Sequence, residues 1–141
     1  MENLLYDFYA LFAERSLIDD LYDETLLTPL TLMMKGIPLI GAAIFYFGLN
    51  KVRYAKFSVW GSMLAACSVL VMIITIVTCN QKAAQEIPRK KGHPELGRYF
   101  DQGGSVFFGF GFEMLLLSAL VFFVVSLIIK NLSTNNRKIP F

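Results

Sequence analysis

The stretch FSVWGSMLAACSVLVMIITIVT, residues 57–78, runs without a single charged side chain. As a helix rising 1.5 Å per residue it reaches roughly 33 Å, about the thickness of a bilayer's hydrocarbon core. A helix on the surface of a water-soluble domain would carry a polar face, and this one has none. It is therefore expected to cross a membrane. Gly61 and Ala65, with Ser62 and Ala66 beside them, place small residues four apart on one face, the spacing that lets membrane helices approach closely.

On its N-terminal side lies a short basic loop, residues 50–56, with Lys51, Arg53 and Lys56. Before that comes another apolar run, residues 28–49, opened by Thr28 as a cap and Pro29 in the first turn. Pro38 inside this run removes one backbone hydrogen bond and is expected to act as a hinge. On the other side a hydrophilic segment, residues 79–104, carries turn-forming prolines and glycines. A third apolar run follows at 105–129, opening with Phe107-Phe108-Gly109-Phe110-Gly111-Phe112, and a basic tail occupies 130–141. Gly109 and Gly111 are expected to serve close helix packing. The expected fold is thus an all-α integral membrane protein with three transmembrane helices. Composition agrees: 55% of the 141 residues are hydrophobic, 17% are charged, and the mean hydropathy is +0.54.

The first 27 residues differ from the rest. Leu4, Phe8 and Leu11, flanked by Leu5, Tyr9 and Phe12, recur at helical spacing and predict one amphipathic helix. Its polar side is acidic, with Glu2, Asp7, Glu14, Asp19, Asp20, Asp23 and Glu24 against Arg15 alone. Anionic lipid would repel such a helix, so its apolar face is expected to rest on protein, or at the interface beside its own bundle. The segment lacks the basic start and continuous apolar stretch of a signal peptide, which leaves the first span to act as an uncleaved signal.

Three spans place the N-terminus and the 79–104 segment on one side of the membrane, and the 50–56 loop and tail on the other. The acidic N-terminus and the basic short loop favour the N-terminus outside and the C-terminus in the cytoplasm. The five cations of the segment, Lys82, Arg89, Lys90, Lys91 and Arg98, argue the other way. The expected location is a bacterial inner membrane, oriented N-out.

Two charges interrupt the spans. Lys35 lies seven residues past Thr28 and Glu113 eight past Ser105, roughly 11 and 12 Å along helices that run in the same direction. An ionised group at such depth is costly unless partnered, so Lys35 and Glu113 are expected to form an intramembrane charge pair. The competing expectations are a Lys35 that snorkels to the interface and a Glu113 that is protonated, faces a partner subunit, or serves a proton or ion path.

No nucleophile with its base, no cofactor loop and no metal-ligand cluster stands out, so no catalytic, cofactor-binding or metal residue is assigned. Cys67 and Cys79 are separated by roughly 18 Å of helix and read as packing residues. His93 stands alone, and Arg89-Lys90-Lys91 reads as a solvated loop with no case for nucleic acid. Asn131-Leu132-Ser133 spells a glycosylation acceptor but lies too close to a span. The function expected is a small non-catalytic subunit, a scaffold or anchor, whose partners are the lipid bilayer and other membrane proteins. A homo-oligomeric channel or carrier using Glu113 is the alternative.

Overall fold

The computed structural model describes residues 2–49 and 56–133, with side chains in the first stretch from Tyr6 onward. Its regular elements are helices: α1 (Glu2–Tyr9), α2 (Arg15–Asp23), α3 (Leu27–Ala43), α4 (Phe57–Ala84) and α5 (Gly104–Ile129). Among the described residues the only strand-like feature is an isolated bridge between Pro88 and Arg98. Among the described residues three helical stretches are long and apolar enough to cross a membrane: Leu27–Gly48, Phe57–Ala84 and Gly104–Leu132. The loop expected at 50–56 and the tail at 130–141 lie largely outside the described residues.

The N-terminal region is two helices where periodicity predicts one. The reason is geometric. At 100° per residue, Leu17, Leu21 and Ile18 would point about 80°, 120° and 180° away from Tyr9 around a single straight helix. All four are buried, at 1% exposure or less. Breaking the helix over residues 10–14 turns both sets inward, and Glu14 adopts an extended conformation ahead of α2.

The end of α2 is a Schellman turn. Leu26 N–H bonds to Leu21 O at 2.8 Å and Thr25 N–H to Tyr22 O at 3.0 Å, with Thr25 at φ 56°. That left-handed position favours glycine, and a β-branched residue there is strained. Thr25 is exposed and its side chain supports no core. Thr25→Gly is therefore expected to stabilise the protein by about 1 kcal/mol, seen as a raised midpoint of thermal unfolding in detergent.

α4 runs six residues beyond the 57–78 reading. Hydropathy drops at Asn80, but Gln81, Lys82, Ala83 and Ala84 are good helix formers and nothing breaks the backbone until Glu86 turns to φ 50°. Pro38 sits buried inside α3, which continues through it. The irregular element lies further on: a π-helical turn over Ile44–Gly48, closed by Leu49 N–H to Ile44 O at 2.8 Å. The turn carries two adjacent buried aromatics, Phe45 and Tyr46.

The described residues divide into two compact units. The first gathers the chain up to Thr31 with Met72–Glu113, and the second gathers Leu32–Val71 with the chain from Met114 on. In the second, Ala42, Phe45, Tyr46, Trp60, Cys67 and Phe122 form the core. Trp60 Nε1–H donates to Ser126 Oγ at 3.1 Å, and the Tyr46 hydroxyl joins the same polar cluster. Buried Tyr and Trp need such partners because an unmatched polar group in an apolar interior is costly. A Cβ on Gly41 would collide with Cys67 Sγ and come within 3.5 Å of Phe122, so α3 approaches α4 closely here.

Candidate functional site

In the first unit, α2 turns Leu17, Ile18 and Leu21 inward and brings Asp20 with them, fully buried. A carboxylate so placed requires compensation. It comes from the other end of the sequence: Asp20 Oδ2 accepts the Phe100 N–H at 2.7 Å and Gln102 Nε2 at 2.5 Å. Asp20 Oδ1 faces Arg89 Nη1 at 2.8 Å. The angle there is poor for a hydrogen bond, so Oδ1 is held by charge contact with the guanidinium and not by an aligned donor.

Around this carboxylate the 85–103 segment is wound into an ordered cap. Arg89 N–H bonds to Gly97 O at 3.2 Å and Tyr99 N–H to Ile87 O at 2.9 Å, flanking the bridge between Pro88 and Arg98. The Arg89 guanidinium lies 5.4 Å from the Tyr99 ring centroid and 3.7 Å from Asp101. Phe100 is buried at φ 58°, its ring 6.5 Å from that of Phe107. Lys82 meets Glu24 at 3.4 Å and Arg98 meets Glu86 at 2.9 Å. Lys82 and Arg89 thus answer acids of the N-terminal region, while Arg98 answers one of its own segment. Arg89, read from sequence as part of a solvated basic run, is a structural partner of a buried acid.

Below the cap, Tyr9 is packed between α3 and α5. Its hydroxyl and that of Thr31 are hydrogen-bonded at 3.2 Å, and its ring meets Phe110 edge-on at 6.0 Å. Burial pushes the Tyr9 hydroxyl above its ordinary pKa, and the Thr31 hydrogen bond pulls partly back. A Cβ on Gly111 would stand 2.6 Å from Ile76 Cγ1 and 3.4 Å from the Met72 carbonyl oxygen, so α5 touches the backbone of α4 at this point.

A Cβ at Gly61 or at Gly109 would meet nothing within 4 Å, and Ala65 is exposed. Lys35 is exposed on α3. Glu113 is half-buried, with Oε2 lacking a hydrogen-bond partner among the described residues. It lines a cavity of ≈ 180 Å³ with Ala13, Glu14, Val106, Gly109 and Phe110. His93 contacts Glu95 at 2.7 Å on the exposed tip of the segment, and Cys67 and Cys79 are buried free thiols. Among the described residues no group of three or more His, Cys, Asp and Glu side chains is placed to hold a metal ion.

Asp20 was missed by sequence reading because it is one acid among seven in an acidic stretch. The available signal was its position, three residues after Leu17 and directly before Leu21, on the side of α2 that periodicity turns inward. No family model matches the chain, and no curated protein or solved structure matches it either.

Proposed function

We propose that the protein is a small non-catalytic membrane subunit, a scaffold or anchor that holds its place in a larger assembly through its spans. The observation that carries this reading is the outward small-residue face at the start of α4. Ser62, Ala65 and Ala66 are exposed, and Gly61 has open space where a Cβ would stand. Another helix can approach such a face to backbone distance, and van der Waals packing of this kind drives association in lipid, where the hydrophobic effect between helices is lost. The polar groups of the 85–103 cap support the same reading, because the buried acid and its arginine are spent on internal structure. In this reading the protein lies in a bacterial inner membrane with the N-terminus outside.

The test is to extract the tagged chain in mild detergent and weigh what stays bound. Larger membrane proteins in stoichiometric amount are expected. Gly61→Leu is expected to reduce them by about tenfold, the scale of a 1.4 kcal/mol loss, with the chain's own unfolding midpoint unchanged. Nothing bound except further copies of the chain sinks the subunit reading. The cavity beside Glu113 favours one second reading, a homo-oligomeric channel or carrier. That reading requires Glu113→Gln to abolish transport while leaving assembly intact.

A further inference from the structure

The corner between α1 and α2 presents three apolar side chains outward: Phe8, Leu11 and Phe12, at 39%, 77% and 61% exposure. In water that is a costly tip for a segment otherwise rich in acids. Its height along the spans can be read from its contacts. Tyr9 meets Thr31, four residues into α3, and Phe110, six residues into α5, roughly 6 and 9 Å past the helix starts. Ala13 and Glu14 line the cavity with residues from Val106 to Glu113, roughly 3 to 13 Å into α5. The corner therefore stands beside the first turns of a span and not above its end. Phe12 stacks near Phe8 at 5.6 Å, Phe8 near Tyr9 at 5.4 Å, and Tyr9 near Phe110 at 6.0 Å, an aromatic series leading from α5 to the tip.

We infer that α1 and α2 form a re-entrant wedge whose Phe8, Leu11 and Phe12 tip is buried among the lipid acyl chains just beneath the headgroups. This rests on the membrane reading of the three long helices. The occupant is lipid because the corner stands at the height of Val106–Glu113 on α5, a helix of spanning length whose Phe108 and Phe112 are exposed at that same height. The backbone donors are suited to it, and a tip just beneath the headgroups leaves the carbonyls of residues 10–13 within reach of interfacial water. Non-helical backbone tolerates lipid only when its polar groups are matched. Across the corner the N–H groups of Ala10, Leu11, Phe12 and Ala13 all bond within the segment, to Tyr6, Phe8 and twice to Tyr9. Leu17 and Ile18 N–H both return to Glu14 O. Charged Glu14 and Arg15 at the start of α2 set the depth, since they hold the corner near the interface while the aromatics suit that zone. The acids that would repel anionic headgroups are partly answered within the chain, Asp20 by Arg89 and Glu24 by Lys82.

The test uses tryptophan fluorescence of the full chain in vesicles of phosphatidylcholine brominated at shallow or at deep acyl positions. Trp60, the one native tryptophan, is replaced by Trp60→Phe, and Phe12→Trp or Leu116→Trp is added singly. Leu116 is 54% exposed and lies near the middle of the third span. Expected is about twofold quenching of the Phe12→Trp probe by shallow bromines with less by deep ones, and the reverse order for Leu116→Trp. A Phe12→Trp probe quenched by aqueous iodide and untouched by bromine, with Leu116→Trp still quenched, overturns the wedge and leaves the membrane reading standing. Neither probe quenched by bromine overturns both. If Trp60→Phe does not fold, a nitroxide on Leu11→Cys in the otherwise native chain gives the same decision, because Cys67 and Cys79 are buried. Greater access to oxygen than to a water-soluble nickel chelate supports the wedge, and the opposite ratio overturns it.

Discussion

Asp20→Ala is expected to destabilise the first unit by about 3 kcal/mol and to release the 85–103 cap. The carboxylate is fully buried and joins three groups, the Arg89 guanidinium, the Phe100 N–H and the Gln102 amide. Removing it leaves the Phe100 amide, in a left-handed conformation and 2% exposed, with no acceptor for its proton. An unsatisfied buried donor alone costs about 1–3 kcal/mol. Arg89 is 30% exposed at its side chain, so water recovers part of its loss, and the total falls toward the lower end of the range for broken buried pairs. Asp20→Asn keeps an acceptor for Phe100 and discards the charge, and is expected to fall between. Asp23→Ala, three residues on and exposed, is expected to change stability by less than about 0.5 kcal/mol. Thermal unfolding in detergent ranks the three variants. Amide exchange at Phe100 localises the effect, and unchanged protection there in Asp20→Ala would show that the cap is held by something else.

The contrast between Asp20 and Asp23 also marks where sequence reading stops. The three long apolar helices were legible because each local window carries the whole signal: a run of apolar residues of spanning length needs no knowledge of its neighbours. The Asp20 contacts were not legible because Asp20 and Phe100 are 80 residues apart, and an acid is given its partner only when α4 and the 85–103 segment have already been placed. The break at residues 10–14 is of the same kind. Helical spacing predicts continuity, and only the need to bury both Tyr9 and the Leu17, Ile18, Leu21 set forces the turn. At the end of α4 local composition misled in the other direction, since loss of hydropathy marks where lipid would end and not where helical hydrogen bonding ends. The glycines of the spans were legible as a class and ambiguous as individuals.

That ambiguity gives the second large effect. Gly111→Ala is expected to destabilise by about 1–3 kcal/mol even though alanine is the better helix former by about 1 kcal/mol. The new methyl would stand 2.6 Å from Ile76 Cγ1 and 2.9 Å from Cδ1, with the Met72 carbonyl behind them, so either Ile76 leaves its rotamer or α4 and α5 separate. Adding Ile76→Ala removes both clashing carbons and is expected to restore most of the lost stability, a coupling that a double-mutant cycle in detergent measures directly. Failure of that rescue would place the cost in the Met72 backbone contact. Gly41→Ala meets Cys67 Sγ and belongs to the same class, with Cys67→Ala as its relief. Gly61→Ala and Gly109→Ala meet open space and are expected to be neutral or slightly stabilising in the isolated chain. Four glycines with the same local sequence signal therefore divide into two that hold the chain's own helices together and two whose surfaces are free, and only the free pair can cost the protein a partner without costing it its fold.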